Sequence, residues 1–402
     1  MWEQIAANRR KSIVLVTMMG LLLGALGFFG GVAFLGRDGG GLAGLVLALV
    51  VWAIMTATAW FQGDNVMLSV ARAKKVAPGD LPMLHNIVEE MTLAAGLPKI
   101  PALYVIDDPA PNAFATGRTP ETAAVAVTSG LLRTLDRDEL QGVIAHEMAH
   151  VRNRDIQLML FAGVLAGAIV ILSEIGLRGM WFGGGRSRSR RDGGGDSGAI
   201  FAVIAVVLMI LAPILSQLIY FAVSRKREYL ADASAATFTR YPEGLARALE
   251  KIAGDSHKLG NVTSATAPNY IINPLKRSGK MAANATSTHP PIDERIRILR
   301  SMGGGASFRA YDESYRKVRG GGGVIPGSAL KDDAGAAAAP RREAPRPEPA
   351  ARKVRAREVD DFLYGKEGYR RIPCACGTVL KIPPGFASPG AKCPRCGTVH
   401  KI

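Results

Sequence analysis

The chain has 402 residues, 48% of them hydrophobic, and a formal net charge of +16. That length is more than one ordinary domain needs, and because all four cysteines fall within the last 29 residues, a disulfide framework is excluded for the main body. The charge alone would suit any anionic partner, but apolar and basic residues occupy different stretches, which favours a membrane protein with basic flanks over a nucleic-acid binder.

Ser12 to Gly36 carries no ionisable residue over 25 positions, and Gly39 to Gly63 repeats that length. Each exceeds the roughly 20 residues with which a helix crosses the hydrocarbon. The first run is too long for a signal-peptide core and lacks a small-x-small cleavage site, so it reads as a retained anchor. Residues 1–63 are therefore expected to form a transmembrane hairpin.

Residues 64–155 follow as the first part of a folded domain. Leu81, Leu84, Ile87, Val88 and Met91 recur at helical spacing between Asp80 and Ala95. Ala102 to Ile106, Asn112 to Thr116 and Ala123 to Thr128 are short β-branched or alternating runs bounded by Pro, Gly and Asp, so three strands are expected. Asp136 and Glu139 form a capping box that starts a helix at about Arg137, expected to run through His150 toward Asp155.

Inside that helix lies His146-Glu147-Met148-Ala149-His150. Residues four apart share a helical face, so both imidazoles can reach one ion, while Glu147, offset by about 100°, can stand beside it as a base. The alternative is a pair of surface histidines, but Ala145, Ala149 and Val151 describe a packed face. His85 and His257 have no metal spacing and read as structural.

Ile156 to Ser173 and Ser197 to Ser224 are charge-free over 18 and 28 positions, the first marginal in length. They predict a second transmembrane hairpin, 156–224, the alternative being a buried hairpin of a soluble domain. Arg9, Arg10 and Lys11 precede the first run, Arg72, Lys74 and Lys75 follow the second, and Arg225, Lys226 and Arg227 follow the fourth. All three clusters assign these ends to the cytoplasm. The Gly-rich loop with Arg178, Arg186, Arg188, Arg190 and Arg191 runs against the rule.

Residues 225–305 are expected to complete the domain. A catalytic zinc takes three protein ligands and one open position, and Glu228 is the best third ligand. Asp232, one turn on, can accept the second N–H of a ligand imidazole. The alternative for Glu228 is a solvated surface carboxylate. Both histidines and Glu228 flank the apolar hairpin, so they share an ion only if an even number of crossings separates them. From Gly303 periodicity fades, and residues 306–365, with Gly320 to Gly323 and an Ala/Pro/Arg stretch, read as a disordered linker. Residues 366–402 close the chain with Cys374, Cys376, Cys393 and Cys396, two knuckles spaced as in a structural zinc ribbon, with a disulfide pairing as the alternative. Its basic surroundings suit a protein or a nucleic-acid partner.

These pieces resemble the HtpX-like family of membrane zinc peptidases, related to the CAAX prenyl proteases. The resemblance covers about residues 1–300 and rests on Asn112-Ala113-Phe114-Ala115-Thr116-Gly117, the histidine motif continuing to Asp155, Glu228 with Asp232, and Ser287-Thr288-His289-Pro290-Pro291. It implies a gluzincin-type catalytic domain on the cytoplasmic face of a bacterial inner membrane, acting in quality control of misfolded membrane proteins. It also implies that His289 lies near the metal, where it is a candidate donor to the oxyanion; the alternative is a structural loop histidine. The strand with Asn112, Ala113, Phe114 and Ala115 is a candidate edge for pairing with an extended substrate, the alternative being a core strand.

The expectation is thus a mainly α membrane protein with four transmembrane helices, a gluzincin-like α+β zinc peptidase domain and a small C-terminal zinc ribbon. It would hold one catalytic and one structural Zn2+ and hydrolyse protein or peptide substrates, membrane proteins among them, next to the lipid bilayer. The rival is a catalytically silent membrane scaffold that recruits a partner through the ribbon. An intact Glu147 beside a complete ligand set argues against the rival.

Overall fold

The computed structural model describes residues 2–36, 38–163, 225–262, 266–272, 289–303, 305–332 and 349–402, with isolated positions between these segments. Two long helices come first, α1 (Trp2–Leu35) and α2 (Gly40–Val70). Within them Ile5–Ala33 and Gly40–Val70 are long and apolar enough to cross a membrane. They pack through glycines: a Cβ on Gly44 would stand 2.1 Å from the Gly27 carbonyl oxygen, and one on Gly31 2.1 Å from that of Gly40. Such close backbone approach is how apolar helices associate where no water drives them together. Their other faces expose Leu21, Leu42, Leu47, Ile54 and Phe61. The expected third and fourth spans lie mostly outside the described residues, as does the Arg-rich loop, although 155–163 is helical.

The chain enters the folded domain through β1 (Lys74–Lys75), too short for any periodicity to announce it. Helix α3 (Pro82–Ala95) begins with proline at its first position and ends at Gly96, whose φ of 64° suits glycine. Strands β2 (Ala102–Ile106), β3 (Ala113–Thr116) and β4 (Ala124–Thr128) complete a sheet of order β1-β2-β4-β3. β2 and β4 run parallel from the pair Ala102 and Ala124, and β3 joins β4 antiparallel with Ala113 opposite Val127. β1 and β3 are thus the opposite edges of the sheet.

Helix α4 (Ser129–Thr134) leads to α5 (Arg137–Arg152), whose capping box forms as expected: Glu139 N–H donates to Asp136 Oδ1 at 3.0 Å and Asp136 N–H to Glu139 Oε2 at 2.8 Å. Helices α6 (Arg225–Thr239) and α7 (Pro242–Gly254) pack on α5, and α8 (Ile292–Arg300) packs on both of them. One core joins Leu84, Ile87 and Val88 of α3 to Val125 and Val127 of β4, Ile144 and Met148 of α5 and Leu249 of α7.

Two expectations are corrected. The helix of the histidine motif does not run on to Asp155. It ends at Arg152, and Arg154 takes a left-handed conformation with φ 58° before a new helix starts at 155. The 306–365 stretch is not structureless, since it holds α9 (Phe308–Arg319), α10 (Gly327–Asp332) and α11 (Pro349–Lys366). Tyr311 is buried in the core, and Asp312 accepts hydrogen bonds from the N–H groups of Val324 and Ile325, which folds the glycine-rich turn back. Val359, Phe362 and Leu363 of α11 fall at helical spacing and join the core. Dense surrounding charge hid that short apolar stripe. Strands β5 (Arg370–Pro373) to β6 (Val379–Ile382) and β7 (Gly390–Lys392) to β8 (Val399–Lys401) form two small hairpins at the end.

Candidate metal centre

α5 and α6 turn their polar residues toward each other in a buried cleft. His146 and His150 stand one turn apart on α5 with their Nε2 atoms 3.2 Å from each other. Glu228, in the first turn of α6, brings Oε2 to 3.6 Å from His146 Nε2 and Oε1 to 3.7 Å from His150 Nε2. Tetrahedral ligands at 2.0–2.1 Å from a zinc ion are roughly 3.3 Å apart, so the three side chains enclose a space of metal size.

The donors also demand a cation. His146 Nδ1 lies 2.9 Å from Asp232 Oδ1, and His150 Nδ1 lies 2.9 Å from Asp155 Oδ2. Carboxylates only accept, so each Nδ1 carries its ring's proton and each Nε2 turns a lone pair into the gap. Glu228 Oε2 is buried beside them with no hydrogen-bond partner among the described residues. Three electron-rich atoms converging in a dry site repel unless positive charge sits among them. Burial alone would lower the His146 pKa, but with no metal bound the Asp232 and Glu228 carboxylates raise it to about 9, so a metal that binds takes the place of the Nε2 proton. Burial would raise the Glu228 carboxyl, yet the imidazoles of His289, His146 and His150 around it keep it well below the usual range. The donor set fits a divalent metal.

Around the ligands stands a supporting layer. Arg295 of α8, fully buried, grips Asp232 with two hydrogen bonds, Nε to Oδ2 at 2.8 Å and Nη2 to Oδ1 at 2.7 Å. Glu147 is buried, burial raises its pKa, and its carboxylate shares a hydrogen bond with the backbone of Ala115. Its Oε1 has no hydrogen-bond partner among the described residues. His289 faces the same cleft, Nε2 3.6 Å from Glu228 Oε2, with burial pushing its pKa down to about 4.

Of the strand residues, only Ala115 lines the cleft. Phe114 points into the core against Tyr270, ring centroids 5.0 Å apart. Asn112 precedes β3 and is a strut, its Nδ2 donating to the Ile272 carbonyl at 2.9 Å. The Ala113 carbonyl accepts from Ile271 N–H at 2.9 Å, so part of the outer edge of β3 is already paired. Sequence reasoning missed Asp155 and Arg295 as supports. Five residues beyond His150, an unbroken helix would carry Asp155 about 140° around the axis; only the Arg154 turn brings it beneath the ring. Arg295 shares no spacing rule with Asp232. Arg227, counted as a basic flank, is instead buried, donating to Met159 Sδ at 3.0 Å and lying 3.9 Å from Asp155 Oδ1.

The four tail cysteines also converge. Cys374 Sγ is 3.4 Å from Cys396 Sγ, Cys376 Sγ is 3.6 Å from Cys393 Sγ, and all four are free thiols. The Thr378 hydroxyl and backbone hold the Cys376 thiol down at about 6. The cluster fits a zinc ribbon.

An HExxH helix crossed by a second helix that supplies the third, acidic ligand defines a metallopeptidase of the two-histidine, one-glutamate class. The peptidase family M48 model matches residues 80–303. A protease HtpX homolog of Thermoanaerobacter pseudethanolicus is 44% identical over 302 residues, covering 75% of this chain and 98% of its own. Those of Streptococcus uberis (42%, covering 75% and 100%) and Syntrophobacter fumaroxidans (47% over 273 residues, covering 67% and 94%) are similar. The crystal structure of S. mikatae Ste24p overlaps 74% of this chain and 67% of its own with a TM-score of 0.39 and 19% identity, too distant to carry residue roles across. The chain belongs to peptidase family M48, among its HtpX-like members. The cysteine cluster lies beyond the family match.

Proposed function

We propose that this protein is a membrane-anchored zinc endopeptidase of the bacterial inner membrane that cleaves misfolded membrane proteins from the cytoplasmic side. The observation that carries the reading is the meeting of His146, His150 and Glu228 around one metal-sized space, with Glu147 beside it. Zinc, when bound, supplies the Lewis acidity that activates a water and polarises the scissile carbonyl. Glu147 takes the proton of the attacking water and passes it to the departing amine; its raised pKa makes it able to do both. His289, neutral near pH 7, donates to the oxygen that gains charge in the tetrahedral state. Asp155 and Asp232 fix the ligand rings, and Ala115 on the sheet edge offers backbone to an extended segment.

Both membrane helices support the choice of substrate. Met67 and Leu68 near the end of α2 pack with Phe114 and Tyr270, and Asn8 near the start of α1 reaches Asp155. The cleft therefore sits where the apolar runs begin and end, at the level of the lipid surface. The basic residues Arg9, Arg10 and Lys11 support a cytoplasmic side for that level. In the tail, Cys374, Cys376, Cys393 and Cys396 hold a second, structural zinc.

The test compares purified, zinc-loaded wild type with Glu147→Gln on an unfolded protein in detergent. The variant is expected to keep its zinc and lose about 100- to 10,000-fold in cleavage rate. Equal cleavage by both would overturn the peptidase reading, and cleavage by neither would turn it toward a scaffold.

A further inference from the structure

Asn8 lies in α1, four residues before the apolar run, yet it is completely buried. Its Nδ2 donates to the Asn153 carbonyl at 2.9 Å and to Asp155 Oδ1 at 2.6 Å. These acceptors flank the left-handed residue Arg154, the turn that breaks the histidine helix from its continuation. The other oxygen of Asp155, Oδ2, receives His150 Nδ1–H at 2.9 Å. One unbroken relay of hydrogen bonds thus runs from the backbone of the first membrane helix to a ring in the metal centre.

From this relay we infer that Asn8 is a positioning residue: through Asp155 it sets the tautomer and aim of His150, so the seat of the first membrane helix governs how tightly the metal is held. The inference rests on reading His146, His150 and Glu228 as zinc ligands. The turn at 153–154 bonds back into α5 through Asn153 and Arg154 N–H, but a left-handed arginine costs backbone energy that its surroundings must meet. The carboxamide secures both sides of that turn at once. Arg227 also approaches Asp155, but at 3.9 Å from Oδ1 it gives charge without the short, directed bond. Apolar contacts cannot substitute, because Asp155 is buried and an unmet oxygen would turn away from His150 to find a donor. Around the relay, Leu15 and Met19 of α1 pack on Leu158 and Phe161 of the helix that Asp155 opens, so the two helices move as one body.

The experiment is zinc release from the detergent-purified full-length chain to a chromophoric chelator. The release phase belonging to the site is the one that Glu228→Ala lacks; the tail zinc remains as a separate phase. Asn8→Leu, which keeps the volume and removes the donors, is expected to speed the site phase about 10- to 100-fold, the range for groups that orient a ligand. In an Asp155→Ala background Asn8→Leu should add nothing further, since the two act in series. Ser12→Ala, which removes a hydroxyl bonded to the Asn8 carbonyl at 3.0 Å and leaves the carboxamide in place, should release zinc like wild type. If Asn8→Leu does not fold, Asn8→Ser, too short to reach both acceptors, takes its place with the same expectation. Wild-type release by the Asn8 variant, an equal loss in Ser12→Ala, or an undiminished effect without Asp155 would each overturn the inference. A wild-type chain with no phase sensitive to Glu228→Ala would instead overturn the zinc reading beneath it.

Discussion

At the scale of single residues the metal centre is held from behind by a buried ion pair. Arg295 and Asp232 are both fully buried and bonded to each other twice. Burial penalises Asp232, but Arg295 more than compensates and lowers its carboxyl. Removing one partner of such a pair leaves the other charge stranded, at a cost of about 3–5 kcal/mol. Arg295→Ala is therefore expected to lower the unfolding free energy by that order and to weaken zinc retention, because His146 loses a fixed acceptor. Denaturant unfolding monitored by tryptophan fluorescence measures the first effect; wild-type stability in the variant would show that the pair is not the support described. The meeting of His146 and His150 on one face was legible in the sequence because four-residue spacing is a property of the helix alone. Asp232 was legible for the same reason, being one turn from Glu228. Arg295 and Asn8 were not, because each reaches the site from a distant helix, and nothing local to either residue marks the encounter.

At the scale of elements, periodicity served well where an element is regular and failed where its ends are decided by distant contacts. α3, β2 and β4 appear within two residues of their expected bounds, since an amphipathic stripe or a β-branched run specifies them locally. The break after Arg152 was invisible, as Asn153 and Arg154 are compatible with helix and the bonds from Asn8 that brace the turn come from a distant helix. The two membrane helices depend on a different local property, the absence of side chains at their seam. Gly44→Leu would drive its side chain into the Gly27 carbonyl, which a Cβ would meet at 2.1 Å. Overpacking of this kind costs about 1–3 kcal/mol, and here it should splay α1 from α2. Cross-linking between cysteines placed on the two helices reports the separation; an unchanged cross-linking yield in Gly44→Leu would refute the tight seam.

At the scale of the molecule, the tail is a strapped-on part and not a tether. Phe362 and Leu363 enter the core, Arg133 pairs with Asp360 at 2.6 Å, and Lys74 of β1 pairs with Glu367 at 2.8 Å. Asp361 in turn pairs with Arg371 and Lys381 of the first small hairpin, fixing it to α11. The strap meets the β1 edge, whereas the cleft lies along β3 at the opposite edge of the sheet. Loss of the tail cysteines should therefore leave the chemistry alone. The double variant Cys376→Ser and Cys396→Ser is expected to bind one zinc fewer per chain and to cleave an unfolded substrate at the wild-type rate. A large fall in that rate would place the tail in the catalytic unit.

His146 and His150 lie on α5 and Glu228 on α6, with residues 156–224 between them in sequence, and the clamp on Asp232 comes later still, from α8. A ribosome making this chain releases both histidines long before Glu228, and Glu228 before Arg295. The nascent protein thus carries an incomplete site until α6 and then α8 have emerged. While it is still unfolded, the chain is exposed to no finished site of its own.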